Sequence, residues 1–206
     1  MKHTGSGLVI AIGIAAIGFS EPLHAGTVLT LSDFSSDETS ADVLDATLAF
    51  SVSGSVLTLS VSNETTSPNP FDLSAIYFNA TTEVAGLALT GAPAGWELLV
   101  GQSADGFGTY DFALQSDLNA DSAKIVSGDT QDFIFDISGS GPFLETFFTT
   151  DFSTIPPGET PGLAAAKFVS GPNDDSAFGV VVPEPATLVL MLGGMLTVGL
   201  RKRQAK

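Results

Sequence analysis

The sequence predicts an all-β protein: an antiparallel β-sandwich of jelly-roll or immunoglobulin-like type, flanked by an N-terminal signal peptide and a C-terminal transmembrane helix. Three observations carry this. Residues 26–182 alternate apolar and small polar side chains with a period of two and are rich in Thr, Ser, Val and Phe, the pattern of strands with one buried face. Turn residues recur at short intervals between these runs. No stretch of the body shows helical periodicity of useful length. The body has enough chain for one domain with a real core and too little for two.

The first 25 residues read as a signal peptide. Lys2 and the amino terminus form a small positive region, Leu8 to Phe19 is apolar, and Pro22 and the small Ala25 follow. This order of charge, apolar core and small residue directs export. Cleavage is expected after Ala25, with Ser20 as the rival position.

The body then opens with a hairpin. Ala46 to Val52 and Val56 to Val61 alternate around Ser53-Gly54-Ser55, two strand runs about a glycine turn. Leu48, Phe50 and Val52 are expected to share one face, and Leu57, Leu59 and Val61 a face of different parity. Asn63 to Pro70 reads as a loop from its Asn, Thr, Ser and Pro content. Further strands are expected at Leu73 to Phe78, Leu87 to Leu89, Trp96 to Val100, Thr109 to Leu114, Gln131 to Ile137, Ala164 to Val169 and Ala177 to Val182. Glycine turns at 91–93, 105–106, 127–129 and 138–142 separate them. Phe147 to Pro161, with three phenylalanines and three prolines, reads as a long crossover packed by its aromatics, of the kind a Greek-key path needs. Gly171 to Ser176 reads as an exposed turn.

Charge and composition exclude whole classes of function. Of the 23 Asp and Glu, 21 lie in residues 26–182 against only Lys124 and Lys167, a formal charge of −19. Such a surface repels phosphate polymers, so no nucleic-acid partner is expected. The body has no cysteine, and both histidines, His3 and His24, precede it. Ser-His-Asp and Cys-His nucleophile systems therefore have no base, and zinc lacks its preferred ligands. Without disulfides the exported domain rests on its hydrophobic core, with metal as the other available support.

Asp117, Asn119 and Asp121 place oxygen side chains at alternate positions, like the first half of an EF-hand calcium loop. The match stops at Ser122, where that loop needs glycine, and at Gly128, where it needs a bidentate Glu. A calcium loop of another design and a solvated turn both remain open, and Ca²⁺ is the one cofactor the chain suggests. Asp174-Asp175 is a second acidic spot of the same kind. Trp96, the sole tryptophan, is a candidate platform for a sugar ring, or else a core residue of its strand. The carboxylate pairs Asp132/Asp136 and Asp105/Asp111 are available for glycoside hydrolysis, though in so acidic a chain such pairs arise by chance. Asn63-Glu64-Thr65 and Asn79-Ala80-Thr81 match a glycosylation sequon.

The most specific signal lies at the other end. Pro183 and Pro185 keep residues 182–186 extended, with Glu184 exposed between them. Ala186 to Leu200 is uncharged and dominated by Leu, Met and Val. As a helix it spans roughly 22 Å at about 1.5 Å per residue, short of a hydrocarbon core of about 30 Å. Arg201, Lys202 and Arg203 close the run, can snorkel to cover the deficit, and hold the C-terminus on the cytoplasmic side.

This three-part tail, residues 183–206, resembles the PEP-CTERM sorting signal of Gram-negative bacteria. The resemblance is confined to residues 182–206. It implies that Pro183, Glu184 and Pro185 form the recognition motif and Arg201, Lys202 and Arg203 the membrane stop. It also implies a partner, exosortase, a membrane-embedded transpeptidase, with transient residence in the inner membrane. The expectation is therefore an exported, non-catalytic protein of the cell surface or extracellular matrix, tied to exopolysaccharide and biofilm, with extracellular polysaccharide as a further partner. The alternatives are a secreted polysaccharide-acting enzyme and a calcium-stabilised structural or adhesion module.

Overall fold

Alternation fixes which side of each strand is buried. The turn at Gly54, with φ at 62°, brings β2 (Asp45–Ser53) back onto β3 (Val56–Asn63). A glycine in the first of two turn positions suits a hairpin that follows the natural strand twist. The register pairs Leu48 with Val61, Phe50 with Leu59 and Val52 with Leu57. Both apolar triplets thus occupy one face, and all six side chains are buried. This corrects the expectation of different parity: a two-residue turn pairs even positions of one strand with odd positions of the other.

The computed structural model describes residues 26–32, 44–65, 71–117, 123–157, 161–170 and 176–181. The remaining strands are β1 (Thr27–Ser32), β4 (Asp72–Phe78), β5 (Val84–Gly91), β6 (Trp96–Ala104), β7 (Gly108–Ser116), β8 (Thr130–Gly139), β9 (Ala164–Val169) and β10 (Ala177–Val180). They form two five-stranded sheets, ordered β1-β2-β3-β8-β5 and β10-β9-β4-β7-β6. Every pairing is antiparallel. Within these sheets, β2-β3-β8-β5 and β10-β9-β4 follow the neighbour order of the A-B-E-D and G-F-C strands of immunoglobulin-type sandwiches. The β6–β7 hairpin extends the second sheet beside β4.

One hydrophobic core draws on both sheets. Phe78 of β4 meets Phe50 of β2 at 5.8 Å and Phe135 of β8 at 6.2 Å, both edge-on, the geometry that ring quadrupoles favour. β1 closes one side against β9 and β10, and β5 meets β6 at the other. Among the described residues no helix is long and apolar enough to cross a membrane. The expected signal peptide (1–25) and C-terminal helix (186–200) lie outside the described residues.

The crossover expected over 147–161 has internal structure. A 3-10 turn, Glu145–Phe148, delivers Phe148 onto Phe50, stacked at 6.1 Å. Further on, Thr154 pairs with Thr109 of β7 through two backbone bonds of 2.8 and 2.9 Å. Gly108 permits that approach: a Cβ there would lie 2.5 Å from the Thr154 carbonyl oxygen. Ser153 completes the pin by donating to the Phe107 carbonyl at 2.6 Å and accepting from the Gly162 backbone at 3.1 Å.

Candidate functional site

Residues 151–154, pinned to β7, line one wall of a concavity in the described body. It is a cleft of about 540 Å³ at the β5–β6 edge of the sandwich. Its size falls in the range of about 300–1,000 Å³ usual for small-ligand sites. Val84, Leu87, Val100 and Phe112 supply apolar surface from both sheets, and Asn79, Asp111 and Asp151 supply polar groups.

Local chemistry holds these polar groups in place. Asn79 is buried at 3% exposure. Its Oδ1 accepts from the Asp111 backbone at 3.0 Å and its Nδ2 donates to the Asp151 carbonyl at 3.3 Å. One amide therefore ties the end of β4 to β7 and to the 151–154 segment. Asp111 in turn accepts from the Ala80 backbone through Oδ2 at 3.1 Å. Beside them the Phe152 ring stands 49% exposed and Val100 68% exposed. An exposed ring next to two carboxylates and an amide suits a ligand with an apolar face and several hydroxyl donors.

The residues named from sequence fall elsewhere. Trp96 starts β6 and is 8% exposed, packed edge-on against Phe133 at 5.0 Å. Its face is taken by the core, so the sugar-platform expectation gives way to the core reading. The ring that does present itself is Phe152. Asp117 is exposed at the end of β7, where its backbone donates to the Gly95 carbonyl at 2.7 Å. Asn119 and Asp121, the other members of the calcium expectation, lie outside the described residues, as does Asp174-Asp175. Among the described residues no group of three His, Cys, Asp or Glu side chains converges as a metal site.

Asp132 and Asp136 both project on the solvent face of β8. Four residues apart on a strand, they stand roughly 13 Å from each other at about 3.3 Å per residue. That exceeds the spacing of about 5–9.5 Å that glycosidases use. Asp105 occupies the β6–β7 turn and is not part of the cleft that Asp111 lines. Asn63 and Asn79 of the two sequons are both buried, with their side-chain amides engaged. Sequence reasoning missed the cleft because its polar groups come from three distant segments, and only the pairing of Phe152 with Asp151 in an irregular stretch hinted at it.

The tail residues Pro183, Glu184, Pro185, Arg201, Lys202 and Arg203 lie outside the described residues. The last described ladder bond, from the Val181 backbone to the Ala164 carbonyl at 2.9 Å, ends two positions before Pro183. Comparison with curated proteins and with solved structures gives no match. Comparison with family models does: residues 181–204 match the PEP-CTERM protein-sorting motif. That motif implies export and processing by an exosortase membrane enzyme of Gram-negative bacteria. Residues 181–204 therefore carry a PEP-CTERM protein-sorting motif, which points to an exported protein sorted by exosortase.

Proposed function

We propose that this is a non-catalytic protein of the cell surface or extracellular matrix, associated with exopolysaccharide and biofilm, and that its immunoglobulin-like body holds a neutral glycan in the cleft at the β5–β6 edge. The observation that carries the ligand class is the half-exposed Phe152 ring beside Asp111 and Asp151. A pyranose offers a hydrophobic face to such a ring and hydroxyl donors to such carboxylates. The charge of −19 in residues 26–182 opposes an anionic polymer as the ligand of this acidic cleft. Sorting by the tail puts the body where glycans are found.

The test has two arms. Fractionation compares the full chain with a chain lacking residues 183–206, and the shortened chain loses its surface location. Pull-down on neutral polysaccharides compares the parent with Phe152→Ala and Asp111→Asn, and both variants lose retention. Equal retention of parent and variants would remove the cleft from the account. Shortening of the polysaccharide by the parent, abolished in Asp111→Asn or Asp151→Asn, would replace the binding module with an enzyme.

A further inference from the structure

Beyond Phe78 the second sheet is completed by a different part of the chain. β4 ends with Phe78 opposite Phe112 of β7 on one side and Ala164 of β9 on the other. Continued by three residues, the β4–β7 register would set Thr81 opposite Thr109. Thr81 turns away instead, its backbone donating to the Phe147 carbonyl at 2.9 Å, and Thr154 bridges Thr109 in antiparallel sense. Thr109 pairs with Ser103 of β6 on its other side, so Thr154 stands on the side of β7 that β4 occupied. The Ser153 backbone donates to the carbonyl of Gly162 at 2.9 Å, two residues before β9. Residues 151–154 thus have the neighbours and the direction of β4. They form a strap laid end to end with that strand.

A side chain makes the join. Asn79 is the first residue past β4 and is 3% exposed. Its Oδ1 accepts from the Asp111 backbone at 3.0 Å and its Nδ2 donates to the Asp151 carbonyl at 3.3 Å. The amide does what a peptide group does in a ladder, with one donor and one acceptor used across the gap. The Asp111 carboxylate is fixed from the same corner, accepting from the Ala80 backbone at 3.1 Å. Phe152 follows the join directly and lines the cleft with Asp111. Half exposed, its ring has too little burial to hold the strap in place by itself.

We infer that Asn79 is the positioning residue of the cleft: its amide holds the strap in register with β7 and so sets the separation of the Phe152 ring and the Asp111 carboxylate, which a ligand must span. Sites of this kind work only when supporting groups fix the contacting ones to within about 0.5 Å. The inference takes its ligand from the glycan reading, while the holding of the strap is independent of it.

The test reads strap and ligand separately. Native-state hydrogen exchange on the full chain in detergent compares the parent with Asn79→Ala. The Ser153 and Thr154 amides exchange about tenfold faster in the variant, and those of Ala113 to Gln115, inside the ladders of β7, keep their rates. Retention on immobilised dextran and galactomannan then compares the parent, Asn79→Ala, Phe152→Ala and the double variant. Asn79→Ala weakens retention about fivefold, and the double variant stays within about twofold of Phe152→Ala, as residues acting through one contact require. Thr154→Pro removes the N–H that reaches the Thr109 carbonyl, at an exposed position, and gives the same loss and the same non-additivity without altering a buried side chain. The inference is overturned if Ser153 and Thr154 exchange at parental rates in Asn79→Ala. It is equally overturned if the losses of Asn79→Ala, or of Thr154→Pro, multiply with that of Phe152→Ala. A parent retained on neither polysaccharide removes the glycan reading, and the exchange rates then decide by themselves whether Asn79 holds the strap.

Discussion

The side-chain carbonyl of Asn63 accepts two hydrogen bonds from Thr65, at 3.2 Å from its backbone N–H and 2.7 Å from its hydroxyl. The same amide donates to the carbonyls of Phe71 and Ile125, each at 2.8 Å. Asn63 is 1% exposed and Thr65 likewise. The end of β3, the start of β4 and the Ile125 segment are thereby joined through one fully satisfied buried side chain. Asn63→Ala leaves the Phe71 carbonyl to the Thr65 hydroxyl at 3.0 Å and the Ile125 carbonyl to the Leu73 backbone at 2.9 Å, but deprives the Thr65 backbone N–H of its acceptor, at about 1–3 kcal/mol for a buried group left unsatisfied. The expected loss is about 1–3 kcal/mol, read as a lower denaturant midpoint with unchanged slope. A loss below about 1 kcal/mol would show that water replaces the amide.

Phe78 occupies the middle of the sandwich and is fully buried. It meets Phe50 and Phe135 across the sheets and stacks on Phe112 at 5.6 Å within its own. Phe78→Ala is expected to cost about 3–5 kcal/mol, the range for a buried aromatic truncated where neighbours cannot collapse into the gap. Phe152→Ala, which truncates a half-exposed ring, is expected to stay within about 1 kcal/mol of the parent. Denaturant unfolding of the two variants side by side separates the core aromatics from the cleft aromatic.

These contrasts explain what could be read from the chain. β2, β3 and β8 are clean alternations such as Phe133, Phe135 and Ile137, so period two groups the side chains of each strand by face, while only the hairpin register brings Leu57, Leu59 and Val61 to the face of Leu48, Phe50 and Val52. β5 was legible only at Leu87 to Leu89 because Gly86 and Gly91 dilute its signal, although both positions lie in the strand. β1 is short, follows the signal region directly, and gains its place by pairing with β2 and closing against β9 and β10. Asn63 carries a loop-like residue type, yet it ends β3 because tertiary hydrogen bonds consume its polarity. The sorting tail was legible because its three parts are contiguous. The cleft was not, since it joins residues that only the sheet pairing brings together.

Burial pushes the Tyr110 hydroxyl up to about 12, with the Ser153 hydroxyl beside it drawing it partly back. Burial likewise raises Tyr77, against the effect of the Gln115 amide. A raised folded value means the native chain keeps a phenolic proton that the unfolded chain, titrating near about 10, has released. Stability is therefore whole below about pH 10 and declines as pH climbs from about 10 towards about 12. Tyr110→Phe keeps the ring and removes the titrating group, so its stability is expected to fall less steeply across that window. Denaturant midpoints at a series of pH values read the two slopes, and equal slopes would assign the alkaline loss to other groups.

The junction between body and tail separates fold from address. β10 is an edge strand paired only with β9, and its ladder continues through Val181, which donates to the Ala164 carbonyl and accepts from the Leu163 backbone at 3.0 Å. Ala177 and Val180 are each 2% exposed, and a Cβ on Gly179 would come within 2.9 Å of the Phe168 ring. A chain ending at Val182 keeps all of these contacts and is expected to melt like the parent while losing its surface location. A chain ending at Ser176 also loses the tail, but in addition uncovers β9. Losing the apolar surface that Ala177, Val180 and part of Phe178 bury against β9 and the core then costs roughly 3 kcal/mol or more at about 25 cal/mol per Å². Val181, the last described residue of the body, lies two positions before Pro183, so the described ladder does not draw on the sorting motif. If the chain ending at Val182 melted as low as the one ending at Ser176, the tail would be part of the fold and not a separable signal.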